Sequence, residues 1–438
     1  MLLRLSAVEQ VFDCKSSSQP LVVSSFAFLV RTTTRLNQSS SALAVAGYRL
    51  ILASGWFWQM ARWGVSFVGA FLANDLTGSA RLVQLTGVAI WAPLLFGGVI
   101  GGVVSDRFDR RLTLIVQFLV VIPLAIGLGL LSMADRLQLW MVYPFMVTIG
   151  ISWVIDMTSR RALIYDLVGA KAIDHAMSLE MLSSSTGLAM GALLGGTAIQ
   201  AIGIDAAFIA VGAMLALSLG LFLMVPRAPQ PKAMPSRGGG LAEVAAGFRM
   251  LKTERGLLSV LGVTAAVNMF FFSFTPLVQV VGSRLDVGPA LLGLLAAMVG
   301  FGMMTGAILM LTLRPVRRGR AYVIGSSVAF TMALGFVATN SYVVTAAFLY
   351  LAAIGMGFFG ATQGVLVMAS VDDERRGRAL GLLSMAIGVL PIGMIMLGEL
   401  AEVLGVRAGI AIFVVTGAML MTVWLSIRPE ALAMQSSA

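Results

Sequence analysis

A few charged and amide side chains stand inside otherwise apolar stretches of this sequence, and they are the groups whose chemistry could matter. Arg62 is the deepest, in Trp56-Phe57-Trp58-Gln59-Met60-Ala61-Arg62-Trp63. No apolar neighbour satisfies a guanidinium, so Arg62 must face a cavity, a carboxylate or a cluster of helix carbonyls. Trp58 and Gln59 lie within one helical turn of it; an anionic ligand group and a structural partner are both open as its counterpart. Asp156 and Glu180 stand near Arg160 and Arg161, where carboxylate and guanidinium can pair through charge-assisted hydrogen bonds. These two acids and Glu399 are also the carboxylates available for taking up a proton. Asn268 and Gln279 are polar positions around the run Phe270-Phe271-Phe272, and are candidates for facing an adaptable apolar cavity.

Several other chemistries are excluded. The chain has one cysteine, Cys14, and one histidine, His175, so neither an internal disulfide nor a Cys/His metal cluster can be assembled. His175 falls in a polar stretch between helices and is expected to be a solvated loop residue. Gly355-Met356-Gly357-Phe358-Phe359-Gly360 spells a dinucleotide fingerprint, but it lies in an apolar helix with no strand before it. No phosphate-binding loop of the Gly-x-x-x-x-Gly-Lys-Ser/Thr type occurs. No cofactor, nucleotide or nucleic acid is expected as a partner.

The elements that carry these residues follow from composition. The chain of 438 residues is 58% hydrophobic and 11% charged, with mean hydropathy +0.94; soluble domains carry about 25% charged residues. That composition requires helices crossing a bilayer. Apolar runs of at least roughly 18–20 residues fall at 47–73, 82–104, 112–134, 139–158, 177–202 and 206–225, then at 257–281, 290–313, 322–339, 342–369, 379–401 and 407–427. Loops after even-numbered runs hold nineteen Lys and Arg, whereas loops after odd-numbered runs hold four, Arg81, Arg136, Arg284 and Arg407. Such a bias puts both termini in the cytoplasm.

The domain organisation is two six-helix bundles, 47–225 and 257–428, joined by a cytoplasmic linker at 226–256. The linker begins Pro-rich, ends in three glycines after Arg237, and continues as an amphipathic helix with Val244, Phe248 and Leu251 on one face. Residues 1–46 form a poorly ordered cytoplasmic extension and 429–438 a short tail. The halves echo each other. Arg160-Arg161-Ala162-Leu163 precedes a helix with Gly187, Gly191, Gly195 and Gly196, and Arg376-Gly377-Arg378-Ala379-Leu380 precedes one with Gly388, Pro391, Gly393 and Gly398. Internal repeats of this kind mark transporters.

Between the second and third runs stands Gly97-Gly98-Val99-Ile100-Gly101-Gly102-Val103-Val104-Ser105-Asp106-Arg107-Phe108-Asp109-Arg110-Arg111. From Gly102 onward it resembles the loop signature of the major facilitator superfamily, Gly-x-x-x-Asp-Arg-x-x-Arg-Arg/Lys. Leu76-Thr77-Gly78-Ser79-Ala80 and Arg161-Ala162-Leu163-Ile164-Tyr165-Asp166-Leu167-Val168 resemble its drug-exporter branch, which includes macrolide and enterobactin exporters. The resemblance covers about residues 47–428. It implies an all-α integral membrane fold of twelve transmembrane helices, two six-helix bundles with a pseudo-two-fold repeat. The implied function is secondary active transport by alternating access, with no enzyme activity: export of small amphipathic molecules from the cell (inner) membrane by a monomer, with protons as the coupling ion. A membrane sensor that kept the fold is the alternative, and a membrane-bound enzyme a more distant one.

One position departs from the family pattern. The antiporter motif Gly-x-x-x-Gly-Pro-x-x-Gly-Gly reads Gly187 to Gly196 with Ala192 in place of the kink-forming proline, which leaves antiport open. The glycines Gly97, Gly98, Gly101 and Gly102 form small-xxx-small pairs that suit sliding and static packing equally. By resemblance, Asp106 with Arg107, Arg110 and Arg111 is a cytoplasmic latch, in one gating network with Asp156, Arg160, Arg161, Arg376 and Arg378. Positive-inside topology explains the arginines and leaves Asp106 unexplained. Asp106→Ala should therefore insert normally and lose transport; normal transport kinetics in that variant would remove the latch.

Overall fold

A computed structural model describes residues 42–95, 109–170, 172–227, 247–313 and 315–434. The stretch from Gly97 to Arg107, with Gly98, Gly102 and Asp106, lies outside the described residues, as do Val244 and most of the linker. Every regular element among the described residues is helical. In order they are α1 (Ala46–Thr77), α2 (Ala80–Leu95), α3 (Arg110–Met133), α4 (Leu139–Val168), α5 (Ile173–Leu223), α6 (Arg255–Phe270), α7 (Val278–Ser283), α8 (Pro289–Leu313), α9 (Arg318–Ala338), α10 (Tyr342–Ala369), α11 (Arg376–Ile387), α12 (Leu390–Leu404), α13 (Val406–Ile427) and α14 (Glu430–Ala433).

Local sequence sets the ends. Asp109 caps α3 by accepting from the Leu112 amide at 2.8 Å. Gly78 ends α1 with φ +63, a conformation that only glycine adopts without cost. α5 runs 51 residues and bends at Gly203, φ +85, into legs of 173–202 and 204–223. Its first leg is unbroken through Ala192, in keeping with the missing proline.

Nine helical stretches among the described residues are long and apolar enough to cross a bilayer. The twelve runs of the sequence differ from these in three places. α1 is long enough but carries Arg49, Gln59, Arg62 and Asp75; α2 is described only to Leu95; and α5 holds two runs in one bent helix. Apolar side chains such as Leu119, Leu311 and Val343 are exposed around the outside, the surface a bilayer covers.

Three expectations need correcting. α4 continues ten residues beyond the apolar run, so Arg160 and Arg161 lie on a helix rather than in a loop. His175 lies in the first turn of α5, half-buried, with Nδ1 accepting from the Ala42 amide at 3.4 Å. Asp156 and Glu180, expected about one turn inside the cytoplasmic ends of their helices, are accordingly two to three turns inside them. The reason is common to all three. Hydropathy marks where apolar residues stop, but the helix persists while Leu163, Ile164 and Ala176 bury, and Tyr48 Oη donates to the Ala176 carbonyl at 2.9 Å. In the linker, residues 247–250 make a helical turn that buries Gly247 and Met250 and leaves Phe248 exposed.

Two hydrophobic cores form, one drawn mainly from residues 42–225 and one mainly from residues 250–431. Glycines allow the closest approaches. Gly187, Gly191 and Gly195 press α5 against α1, where a Cβ on Gly191 would fall on the Met60 carbonyl and 2.9 Å from the Gly64 nitrogen. Gly196 instead meets Gly293 of α8, joining the two halves, and Gly398 of α12 packs on Gln84 of α2. Pro391 sits at the start of α12, where its missing N–H costs nothing, and the run it lies in is split there into α11 and α12. Gly191→Ala should cost about 1–3 kcal/mol through overpacking, read as a lower thermal midpoint in detergent. Gly220→Ala, whose Cβ would meet nothing within 4 Å, should leave that midpoint unchanged.

Candidate functional site

A cavity of about 260 Å³ lies between the halves. Trp63, Ser66 and Phe67 of α1, Trp91 of α2, and Ser184, Ser185 and Leu188 of α5 line one side. Asn268, Phe272, Thr275, Gln279, Met303 and Met394 line the other. The described lining is apolar, hydroxyl or amide, with no ionisable side chain. Asn268 and Gln279 both reach it because the backbone between them tightens into a 3₁₀ turn, Phe272–Leu277, containing Pro276. Asn268 Nδ2 donates to the Thr264 carbonyl at 2.9 Å, and Gln279 Oε1 is buried without a partner.

At one end the two halves are tied by polar contacts. Ser79 Oγ donates to the Glu402 carboxylate at 3.0 Å, and the Arg81 amide donates to it at 3.2 Å. Arg81 and Glu399 pair at 3.8 Å, both exposed. Gln84 Nε2 donates to the Ser273 carbonyl at 2.9 Å, and Gln200 Oε1 accepts from the Ala290 amide at 3.0 Å. The cavity is thus closed on the side of the α1–α2 turn. Glu402 organises this end more than Glu399 does. Its carboxylate takes the Ser79 hydroxyl and the Arg81 backbone donor at the start of α2, a favourable place for an anion.

Behind the wall, inside the first bundle, is a buried charge network. Arg160 Nη2 donates to Asp156 Oδ1 at 2.7 Å, and Nε adds bonds to both carboxylate oxygens. Arg160 Nη1 reaches the Ile51 carbonyl at 3.1 Å, and Gln117 Nε2 donates to Asp156 at 3.2 Å. Ser54 and Ser218 complete the cluster. This pair ties α4 to α1 and α3 within the first bundle. Glu180 stands beside it, next to Gly55 and Arg160, with Oε2 buried and without a donor.

Arg62 is 2% exposed and makes no ion pair among the described residues. Its Nε donates to Gln59 Oε1 at 3.1 Å, and its guanidinium lies over the rings of Trp63 and Trp153, 4.2 and 4.4 Å from their centroids. Trp58 packs edge-on against Phe118 in the bundle core, away from the cavity. Of the residues suggested for the cavity, Asn268 and Gln279 line it; Trp58, Gln59, Arg62 and Glu180 lie behind its wall, and Glu399 is at the surface.

Three further arginines hold helix ends. Arg110 pairs with Asp166 at 3.0 Å, and Arg111 donates to the Val225 and Leu223 carbonyls at the end of α5. Arg375 pairs with Glu254 at 3.1 Å. Arg161, Arg376 and Arg378 are exposed. Sequence reasoning missed Ser79, Trp153 and Asp166 as partners, because nothing local signals a contact hundreds of positions away or across a bundle. Asp156→Asn and Arg160→Met should each destabilise by about 3–5 kcal/mol, since each strands a buried charge or donor. Arg161→Met should leave the thermal midpoint unchanged, and equal midpoints for all three would contradict the assignment.

The fold and parts of the sequence have relatives. The Major Facilitator Superfamily profile matches residues 51–390. Macrolide efflux protein A of Streptococcus pyogenes is 21% identical over 359 residues, covering 77% of this chain and 85% of that protein. Among solved structures, a POT family transporter in complex with a thioalcohol-conjugated peptide superposes with a TM-score of 0.72 at 12% identity, covering 88% of this chain and 96% of that one. A bacterial homologue of the human lysosomal transporter Spinster, inward-facing and occupied, gives 0.68 at 15%, covering 89% and 98%. A D-xylose–proton symporter gives 0.66 at 16%, also covering 89% and 98%. With a profile match across most of its length, on a multi-pass helical fold enclosing a cavity between two halves, this chain belongs to the major facilitator superfamily of transporters.

Proposed function

We propose that this protein exports small amphipathic molecules across the cytoplasmic membrane by alternating access, with both termini in the cytoplasm. The observation that carries the proposal is the central cavity, lined from both halves and closed at the Ser79–Glu402 end. A site shared by two repeats and sealed on one side is what rocking of one bundle on the other needs. The arginine bias of the loops makes the sealed end the outer one. Export rather than import is supported by the likeness to a macrolide efflux protein, and by a wall of Met and Phe that adapts to varied ligands. Asp106 and its arginines act as the inner latch when the cavity faces outward.

Protons drive the cycle through Glu180. Asp156 has its oxygens held by Arg160 and Gln117, and Glu399 is at the solvent-exposed end. Of these three acids, Glu180 keeps a buried carboxylate oxygen without a donor, a lone pair open to a proton, one turn from the cavity-lining Ser184. An ionisable residue inside a membrane helix is a functional candidate by default. The neighbouring charges are Arg160, Asp156 and Arg161 of α4, with the Tyr48 hydroxyl of α1.

Everted vesicles carrying the protein should accumulate radiolabelled erythromycin, ethidium or phenylnaphthylamine when acidified inside, and an uncoupler should collapse the gradient of whichever probe moves. Glu180→Gln should lower gradient-driven accumulation at least tenfold while leaving exchange of preloaded probe intact. Export falls if no probe responds to the gradient; the Glu180 assignment falls if the variant still concentrates probe.

A further inference from the structure

The middle of α1 carries hydrogen-bond donors that outnumber the acceptors given to them among the described residues. Arg62 has five N–H donors and uses one, Nε to Gln59. The indole Nε1 atoms of Trp58 and Trp63, within a turn of it, are both buried without a partner. Stacking between Trp63 and Trp153 stabilises the charge of the guanidinium but supplies no acceptor for its in-plane N–H groups. The carboxylates nearby do not fill the need. Asp156 is engaged by Arg160 at 2.7 Å, and Glu180 stands beside Gly55, about two helical turns from Arg62. Native proteins leave few buried donors unpaired, and a cluster of them calls for a specific explanation.

The cluster borders the cavity. Trp63 both covers the Arg62 guanidinium and lines the cavity; Trp91, which also lines it, packs edge-on at 4.8 Å against Trp153 and lies 6.4 Å from Trp63. One indole therefore separates the buried Arg62 cation from the site. The rest of the described lining offers hydroxyls and amides and no acid, so nothing there would repel an anion or attract a cation. Phe67, Leu188, Phe272 and Met394 give the apolar surface that an attached ring or chain requires.

We propose, building on the transport reading of the cavity, that Arg62 with Trp63 and Trp153 recognises an anionic group, a carboxylate or sulfonate, on an aromatic or amphipathic ligand. The ligand's ring lies among Phe67, Leu188, Phe272 and Met394. Its anion displaces the edge of Trp63 and takes the free Nη donors of Arg62 and the Trp63 Nε1–H. The site selects acids over bases of the same shape.

A matched pair of dyes tests this by equilibrium binding, independently of transport. Anilinonaphthalene sulfonate and phenylnaphthylamine share a ring system and differ in the sulfonate. With the full chain in nanodiscs, and empty nanodiscs subtracted, quenching of tryptophan fluorescence should show the sulfonate binding about tenfold tighter than the neutral dye. Arg62→Gln should abolish that preference while leaving the neutral dye's affinity unchanged, which also reports that the variant is folded. Arg62→Lys should keep part of it. Trp63→Phe, which retains the ring and removes one donor, should weaken the sulfonate alone. Equal affinities in the unaltered protein, or a preference that survives in Arg62→Gln and Trp63→Phe, would overturn the proposal. Those results would leave gradient-driven export of ethidium or erythromycin standing, and failure of export would leave a measured dye preference standing.

Discussion

A polar group inside an apolar slab must find its partner within the protein, and most of this structure follows from that one constraint. Backbone amides meet it by forming helices. Side chains meet it case by case. Asp156 and Arg160 satisfy each other and draw in Ile51, Ser54 and Gln117, so three helices of the first bundle are held in register by a single ion pair. In hydrocarbon the alternative to such pairing is a stranded charge. Among the places where the constraint is left unmet are the Arg62 cluster, which borders the cavity, and the Glu180 carboxylate, one turn from the cavity-lining Ser184.

Close packing does the rest, and glycine allows it in two distinct ways. In α5, the stripe Gly187, Gly191 and Gly195 presses on α1 and belongs to one bundle. Gly196, one position further round the helix, presses on Gly293 of the other bundle. A single helix thus serves as internal strut and as inter-bundle contact, according to which face a glycine occupies. An interface of small residues can part and re-form with little loss of interlocked side chains, which suits a surface that must separate. Where polar contacts add to it, as at Ser79, Arg81 and Glu402, they cluster at one end and define which side of the cavity is shut.

Much of this was legible from the chain. Helical class, membrane location and the alternation of arginine-rich turns follow from composition and periodicity, since bilayer thickness imposes a run length that survives any arrangement of the runs. Family membership was legible from the fixed spacing around Asp106 and Arg107. Helix ends were not: α4 extends through Arg160 and α5 starts before His175, because hydropathy measures contact with lipid, and helices continue past the lipid where they pack on each other. The two amides facing the cavity, Asn268 and Gln279, could be picked out as polar interruptions of an apolar run.

The sequence by itself determined how many apolar runs there are, which turns carry the positive charge, and that Arg62, Asp156 and Glu180 need partners. Those conclusions rest on transfer free energies, which are properties of single residues. Only the tertiary structure decided who the partners are. Asp156 belongs to Arg160, Glu402 belongs to Ser79 across 323 positions, and Arg62 is held by Trp63 and Trp153 with its remaining donors unspent. Pairings of that kind depend on which helix faces are brought together, and no local pattern encodes the distance between residues on different helices.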